Sequence, residues 1–173
     1  MLTHYYKQWR LKPNPSKSES CLFHLCNRDA DKTMDVSFDG LPVLPATNPK
    51  YLRVSLNRTL SFKSHLGKLG KKLNSRINII RKLASTSWGA DVDTLRTSTI
   101  GLVYSAAEHC APVWTNSSHT YKVDVQLNKA LRVISGISIS TPLDWLLVLS
   151  NIEPADLRRE AASVNEFNKC HVN

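Results

Sequence analysis

The sequence predicts an α+β protein, with a small N-terminal antiparallel β element over residues 1–58 and a helical bundle of four or five helices over 59–173. Three observations carry this. Residues 34–38 alternate apolar and polar side chains, with two further short strand-like runs up to residue 56; from residue 61 the apolar spacing changes to three and four; Gly and Pro stand at the joints. Apolar residues make up 42% of the 173 and charged residues 21%, a globular rather than a disordered balance.

In chain order, Pro13-Asn14-Pro15-Ser16 punctuates the start, and residues 20–26 form a short mixed run. Met34-Asp35-Val36-Ser37-Phe38 alternates and is followed by Asp39-Gly40 and then Leu41-Pro42-Val43-Leu44. An Asp-Gly pair between two such runs predicts a hairpin, because both turn residues must tolerate positive φ. Pro42 and Pro45 lack N–H donors and so place the return strand at an edge or a bulge. Tyr51-Leu52-Arg53-Val54-Ser55-Leu56 is a third candidate strand. Leu66, Leu69, Leu73, Ile77, Ile80 and Ala84 then share one helical face, which predicts a helix over 63–84. Val92, Leu95, Thr99, Val103, Ala106 and Cys110 repeat the pattern up to Pro112. A third helix is predicted over 122–135, with Gly136 as its stop. Thr141-Pro142 predicts a cap with proline at the first helical position, and Pro154 has the same placement for a helix running to about residue 167.

The charge is unevenly placed. Lys and Arg total 23 against 14 Asp and Glu, a net +9 with a pI near 9.6. Ten of the cations fall between Lys50 and Lys82, and no carboxylate interrupts them. Surface helices ordinarily mix both signs. A predicted helix whose polar side carries Lys63, Lys68, Lys71, Lys72, Arg76 and Lys82 is therefore expected to follow a phosphate backbone. Its apolar face lacks the Trp and Phe anchors of a membrane-surface helix, so no membrane partner is expected. No apolar run reaches the ~18 residues of a membrane span, and the first residues lack a signal peptide's apolar core. With four cysteines and no such leader, a reduced nuclear or cytoplasmic protein is expected, not a secreted one.

Catalytic patterns are scarce. Two-metal chemistry needs paired carboxylates, and Asp29-x-Asp31 and Asp91-x-Asp93 are the only close Asp pairs. The first reads as a polar loop; the second stands where a helix N-terminus attracts negative charge anyway. Phosphate-loop, nucleophile-elbow and zinc-protease motifs do not occur. Cys21, His24 and Cys26 cannot converge on a metal from one strand, because Cys21 faces opposite to the other two, so they read as core cysteines. The four tryptophans, Trp9, Trp88, Trp114 and Trp145, read as caps on a core.

As a set, these pieces resemble a known family. Trp9-Arg10-Leu11-Lys12-Pro13-Asn14-Pro15-Ser16-Lys17-Ser18-Glu19 resembles the segment following the catalytic strands in reverse transcriptases of non-LTR retrotransposons, particularly the jockey-like group. Lys50-Tyr51-Leu52-Arg53-Val54-Ser55-Leu56-Asn57 is similar to that family's Tyr-Leu-Gly-Val-x-Leu-Asp block, with Arg53 and Asn57 replacing its Gly and Asp. Trp88-Gly89, Leu95-Arg96, Val113-Trp114, Leu131-Arg132-Val133-Ile134-Ser135-Gly136, Thr141-Pro142 and Pro154-Ala155-x-Leu157-Arg158-Arg159-Glu160 follow in the family's order, so the resemblance covers nearly the whole chain.

The resemblance implies a piece of an RNA-directed DNA polymerase: the end of the palm, then the thumb that grips a duplex of RNA template and DNA primer. The family's metal-binding aspartates lie upstream of the Trp-x-Leu-x-x-Asn segment, so the implied Mg²⁺ belongs to a complete parent polymerase with palm and fingers. The chain itself is expected to hold no cofactor and to be inactive alone. Lys17 matches the motif D lysine that the family uses to protonate departing pyrophosphate, a general-acid role. Gly in the Tyr-Leu-Gly-Val block would permit a bulge that Arg53 is expected not to copy, which impairs primer placement or marks a decaying element. The rival expectations are a non-enzymatic nucleic-acid-binding or partner-binding protein derived from such a remnant, and a remnant without function.

Overall fold

The computed structural model describes residues 2–38, 40–85, 87 and 89–171. They fall into two units, Met1–Leu60 and Ser61–Asn173.

The first unit opens with a helix, α1 (Leu2–Gln8), that the periodicity does not announce. Seven residues are too few for an apolar period to show. Its Tyr5 ring lies 5.9 Å from Tyr6 and 6.2 Å from Trp9, so the aromatics gather on each other. Trp9 remains 62% exposed and caps no core. A 3₁₀ turn over Pro15–Lys17 follows, organised by Asn14, whose side-chain oxygen accepts from the Ser16 amide at 3.0 Å.

Strands β2 (Val36–Phe38) and β3 (Leu41–Pro45) form the antiparallel hairpin, with Val36 opposite Val43 and Phe38 opposite Leu41. Gly40 has φ +78°, as a two-residue hairpin turn requires; Asp39 lies outside the described residues. The 20–26 run contributes only the end of β1 (Glu19–Ser20), which pairs in parallel with Leu44 and Pro45 and makes the order β1-β3-β2. The proline-bearing strand is thus central, not an edge. It is tolerated because β1 covers only the last two residues of β3, leaving the stretch around Pro42 paired on one side.

Residues 21–26 are not a strand. The Arg58 guanidinium holds them, donating to the Cys26 carbonyl at 2.9 Å and to Asn27 Oδ1 at 3.0 Å. Cys26 is exposed and Cys21 half-buried, so neither is a core cysteine, and all four cysteines are free thiols.

The third candidate strand folds back on itself. β4 (Lys50–Tyr51) and β5 (Val54–Ser55) pair antiparallel through Leu52 and Arg53, at φ +45° and +69°. Positive φ at both central residues marks a type I′ turn, which favours Gly and Asn. Arg53 therefore does adopt the glycine-like conformation, at a left-handed cost of about 1–2 kcal/mol. Gly would remove that cost and lose about 0.5–1 kcal/mol in chain entropy, so Arg53→Gly is expected to stabilise the hairpin by about 0.5–1 kcal/mol. Amide exchange across residues 50–56 should slow roughly two- to fivefold, and unchanged exchange would mean that the turn is unstrained.

The second unit is helical. α2 (Lys63–Leu83) buries Leu66, Leu69, Leu73, Ile77 and Ile80, the stripe read from the sequence. α3 (Val92–Thr99) starts at Asp91, whose carboxylate accepts from the Thr94 amide at 3.1 Å; hydrogen bonds from Thr94 hold its carboxyl below the usual range. Asp93 pairs with Arg96 at 2.6 Å, so both aspartates serve the helix start. The helix widens into a π turn over Ile100–Tyr104, resumes as α4 (Ser105–Ala107) and ends before Cys110. Pro112 lies in the first turn of a one-turn helix, α5 (Ala111–Trp114).

α6 (Tyr121–Ser135) stops at Gly136, φ +66°, as expected. α7 (Leu143–Ser150) begins one residue later than predicted, with Pro142 as its cap, and α8 (Ala155–His171) extends beyond residue 167. Among the described residues, counting the α3–α4 run once, five multi-turn helices and the single turn of α5 follow the strands.

The most extensive helix pairing is α2 on α6. A Cβ at Gly70 would stand 3.2 Å from the Lys122 carbonyl oxygen, so glycine lets these backbones close up. Trp114 is buried, its indole donating to the His109 carbonyl at 3.3 Å. Trp145 is 61% exposed because α7 turns its neighbour Leu146 inward instead. The core reading thus holds for Trp114 but not for Trp9 or Trp145, and Trp88 lies outside the described residues.

Two adjacent arginines anchor α8. Arg159, buried, pairs with Asp124 of α6 at 2.6 Å and lies 5.9 Å from the Trp114 ring centre. Arg158 grips Glu108 with two nitrogens and lies over the Tyr104 ring. Glu108 raises the Arg158 pKa, and burial pushes the Tyr104 phenol up to about 12.

Candidate nucleic-acid interface

The apolar stripe of α2 faces inward, which turns Lys63, Lys68, Lys71, Lys72 and Lys82 outward. All five are exposed, and among the described residues none forms a salt bridge with a carboxylate. Five ammonium groups on one 21-residue helix repel one another, a cost that a polyanion would relieve.

Arg76 is differently placed. It is half-buried and donates to the Leu102 carbonyl, inside the π turn. A π turn shifts backbone carbonyls out of the α-helical pattern, and Arg76 supplies one with a donor. It therefore serves the fold and does not stand with the lysines. Lys17 is exposed at the end of its 3₁₀ turn and belongs to the other unit.

The second wall of the site escapes a reading based on charge runs. Between α2 and α6 lies an open groove of about 640 Å³. Lys71 and Asn74 line it from α2, and Tyr121, Lys122, Gln126 and Lys129 from α6. Lys122 and Lys129 are isolated in the sequence, but their spacing of seven puts them on one helical face with Gln126, which was the available signal. The one acidic residue in the first turn of α6, Asp124, points instead to Arg159. No carboxylate lines the groove among the described residues.

His65, in the first turn of α2, is half-buried. Burial chiefly, with His109 and Lys68 adding to it, pushes its pKa below the ordinary histidine value. The imidazole is thus neutral near pH 7 and adds no charge to the lysine face. Among the described residues, no three His, Cys, Asp or Glu side chains gather as metal ligands, and no helix is long and apolar enough to cross a membrane. Comparison with protein-family models, with curated proteins and with solved structures finds no match for the chain.

Proposed function

We propose that the helical unit binds a nucleic-acid duplex, RNA template paired with DNA primer, through the outer face of α2, as the thumb of a non-LTR retrotransposon reverse transcriptase does. One observation carries the reading: five exposed lysines on a helix face without a carboxylate partner. Charge alone favours a polyanion; the order of motifs that resembles the family favours this polyanion. On this reading the chain performs no chemical step by itself. The general-acid role that the resemblance gives Lys17 would need metal-bound substrate to act on.

The test is affinity for a short RNA–DNA hybrid as a function of salt. Five phosphate contacts predict a fall of log affinity with log salt at a slope of about −4 to −5, with little dependence on base sequence. A slope near zero, or no binding at low salt, would contradict the proposal. A partner-binding reading has its own support in the apolar residues left exposed on α7 and α8, among them Trp145, Val148, Leu157 and Phe167.

A further inference from the structure

We infer that the groove between α2 and α6 binds a single nucleic-acid strand, alongside the duplex face and sharing only Lys71 with it. The inference rests on the nucleic-acid reading above and adds a second ligand form to it. Three observations point there. Lys71, Lys122 and Lys129 line a groove of about 640 Å³ that holds no carboxylate among the described residues, which selects an anionic ligand. That size falls within the roughly 300–1,000 Å³ of ligand clefts. Tyr121 stands at the groove with 56% of its surface exposed, beside the His119 ring at 6.4 Å, and an exposed aromatic next to cations is how sequence-tolerant strand binders hold a base.

The third observation concerns Gln126. Its side-chain oxygen is buried and accepts no hydrogen bond among the described residues, although the residue lines the groove. A buried acceptor in that condition is costly, and rotation of the Gln126 amide toward the groove would offer it to a base edge bearing an N–H. Asn74 supplies a further amide on the opposite wall. A duplex does not fit the same place. Packed helices have axes about 8–10 Å apart, and the crevice between them admits one extended strand but not a double helix. The two ligands therefore separate by geometry: the duplex lies across the outer lysines of α2, and a single strand runs along the α2–α6 crevice with its phosphates on Lys122 and Lys129 and a base on Tyr121.

The experiment measures fluorescence anisotropy of a labelled ten-nucleotide oligouridine and of a blunt RNA–DNA hybrid against the full chain and three variants. These are Tyr121→Ala, Tyr121→Phe and the double variant Lys122→Gln/Lys129→Gln, each checked for native circular dichroism. Tyr121→Ala should weaken oligouridine binding by about fivefold or more, and Tyr121→Phe, which keeps the ring, should restore it. The double lysine variant should weaken it about tenfold and flatten its salt slope by about one to two units. Hybrid affinity should change less than about twofold in all three, since the outer lysines are intact. Oligouridine binding that ignores every variant, or equal losses for strand and hybrid, would overturn a separate strand site. Hybrid bound without oligouridine would overturn this inference alone. Neither bound would overturn the duplex reading as well.

Discussion

A chain with Lys68, Lys71, Lys72 and Lys82 changed to Gln is expected to bind RNA–DNA hybrid about a hundredfold more weakly at about 100 mM salt, and to lose roughly three to four units of salt slope. Each lysine is exposed and lies off the buried stripe of α2, so the loss comes from counterion release and not from unfolding. Arg76 is left in place because its guanidinium serves the Leu102 carbonyl, and removing it would mix a folding defect with a binding defect. Gln keeps helix propensity close to that of Lys, so the melting temperature should stay within a few degrees. An unchanged affinity and slope, with native circular dichroism, would reduce the lysine face to a solvated surface.

The second large effect is on stability. Arg159 is 7% exposed and its Asp124 partner is on the neighbouring helix, so Arg159→Ala leaves a partly buried carboxylate unpaired and opens space beside Trp114. Breaking a buried pair on one side costs about 3–5 kcal/mol, but the Asp124 side chain keeps 33% of its exposure, which sets the expectation at about 2–3 kcal/mol. For a unit of this size the melting temperature should fall by about 10 °C. Replacing both partners, Arg159→Met with Asp124→Leu, should recover much of that loss because no charge is left stranded. A single variant melting with the wild type would mean that α8 is not held by this pair.

The helical unit was legible where one physical cause dominated. The stripe from Leu66 to Ile80 fixes α2, and Gly136 fixes the end of α6 because few other residues take a left-handed φ so readily. The reading failed where tertiary needs overrode local ones. Nothing in the sequence marks the π turn at Ile100–Tyr104, and its Leu102 carbonyl is what diverts Arg76 from the surface. The sequence predicts that Arg53 cannot copy a glycine, yet the hairpin holds both Leu52 and Arg53 at positive φ, because the pairing of Tyr51 with Val54 outweighs their strain. Only one wall of the groove is signalled in the sequence, by the spacing of Lys122, Gln126 and Lys129. Lys122 and Lys129 stand in a charge-balanced stretch, and only the packing of α6 against Gly70 brings them beside Lys71.

Lysine acetylation with and without bound RNA–DNA hybrid, read by mass spectrometry, tests whether the outer lysines of α2 lie on phosphate. Lys68, Lys71, Lys72 and Lys82 should lose reactivity when hybrid is bound, whereas Lys169, paired with Glu166 on α8, should keep it. Protection spread evenly over all lysines, or full reactivity along α2 in the complex, would contradict that contact.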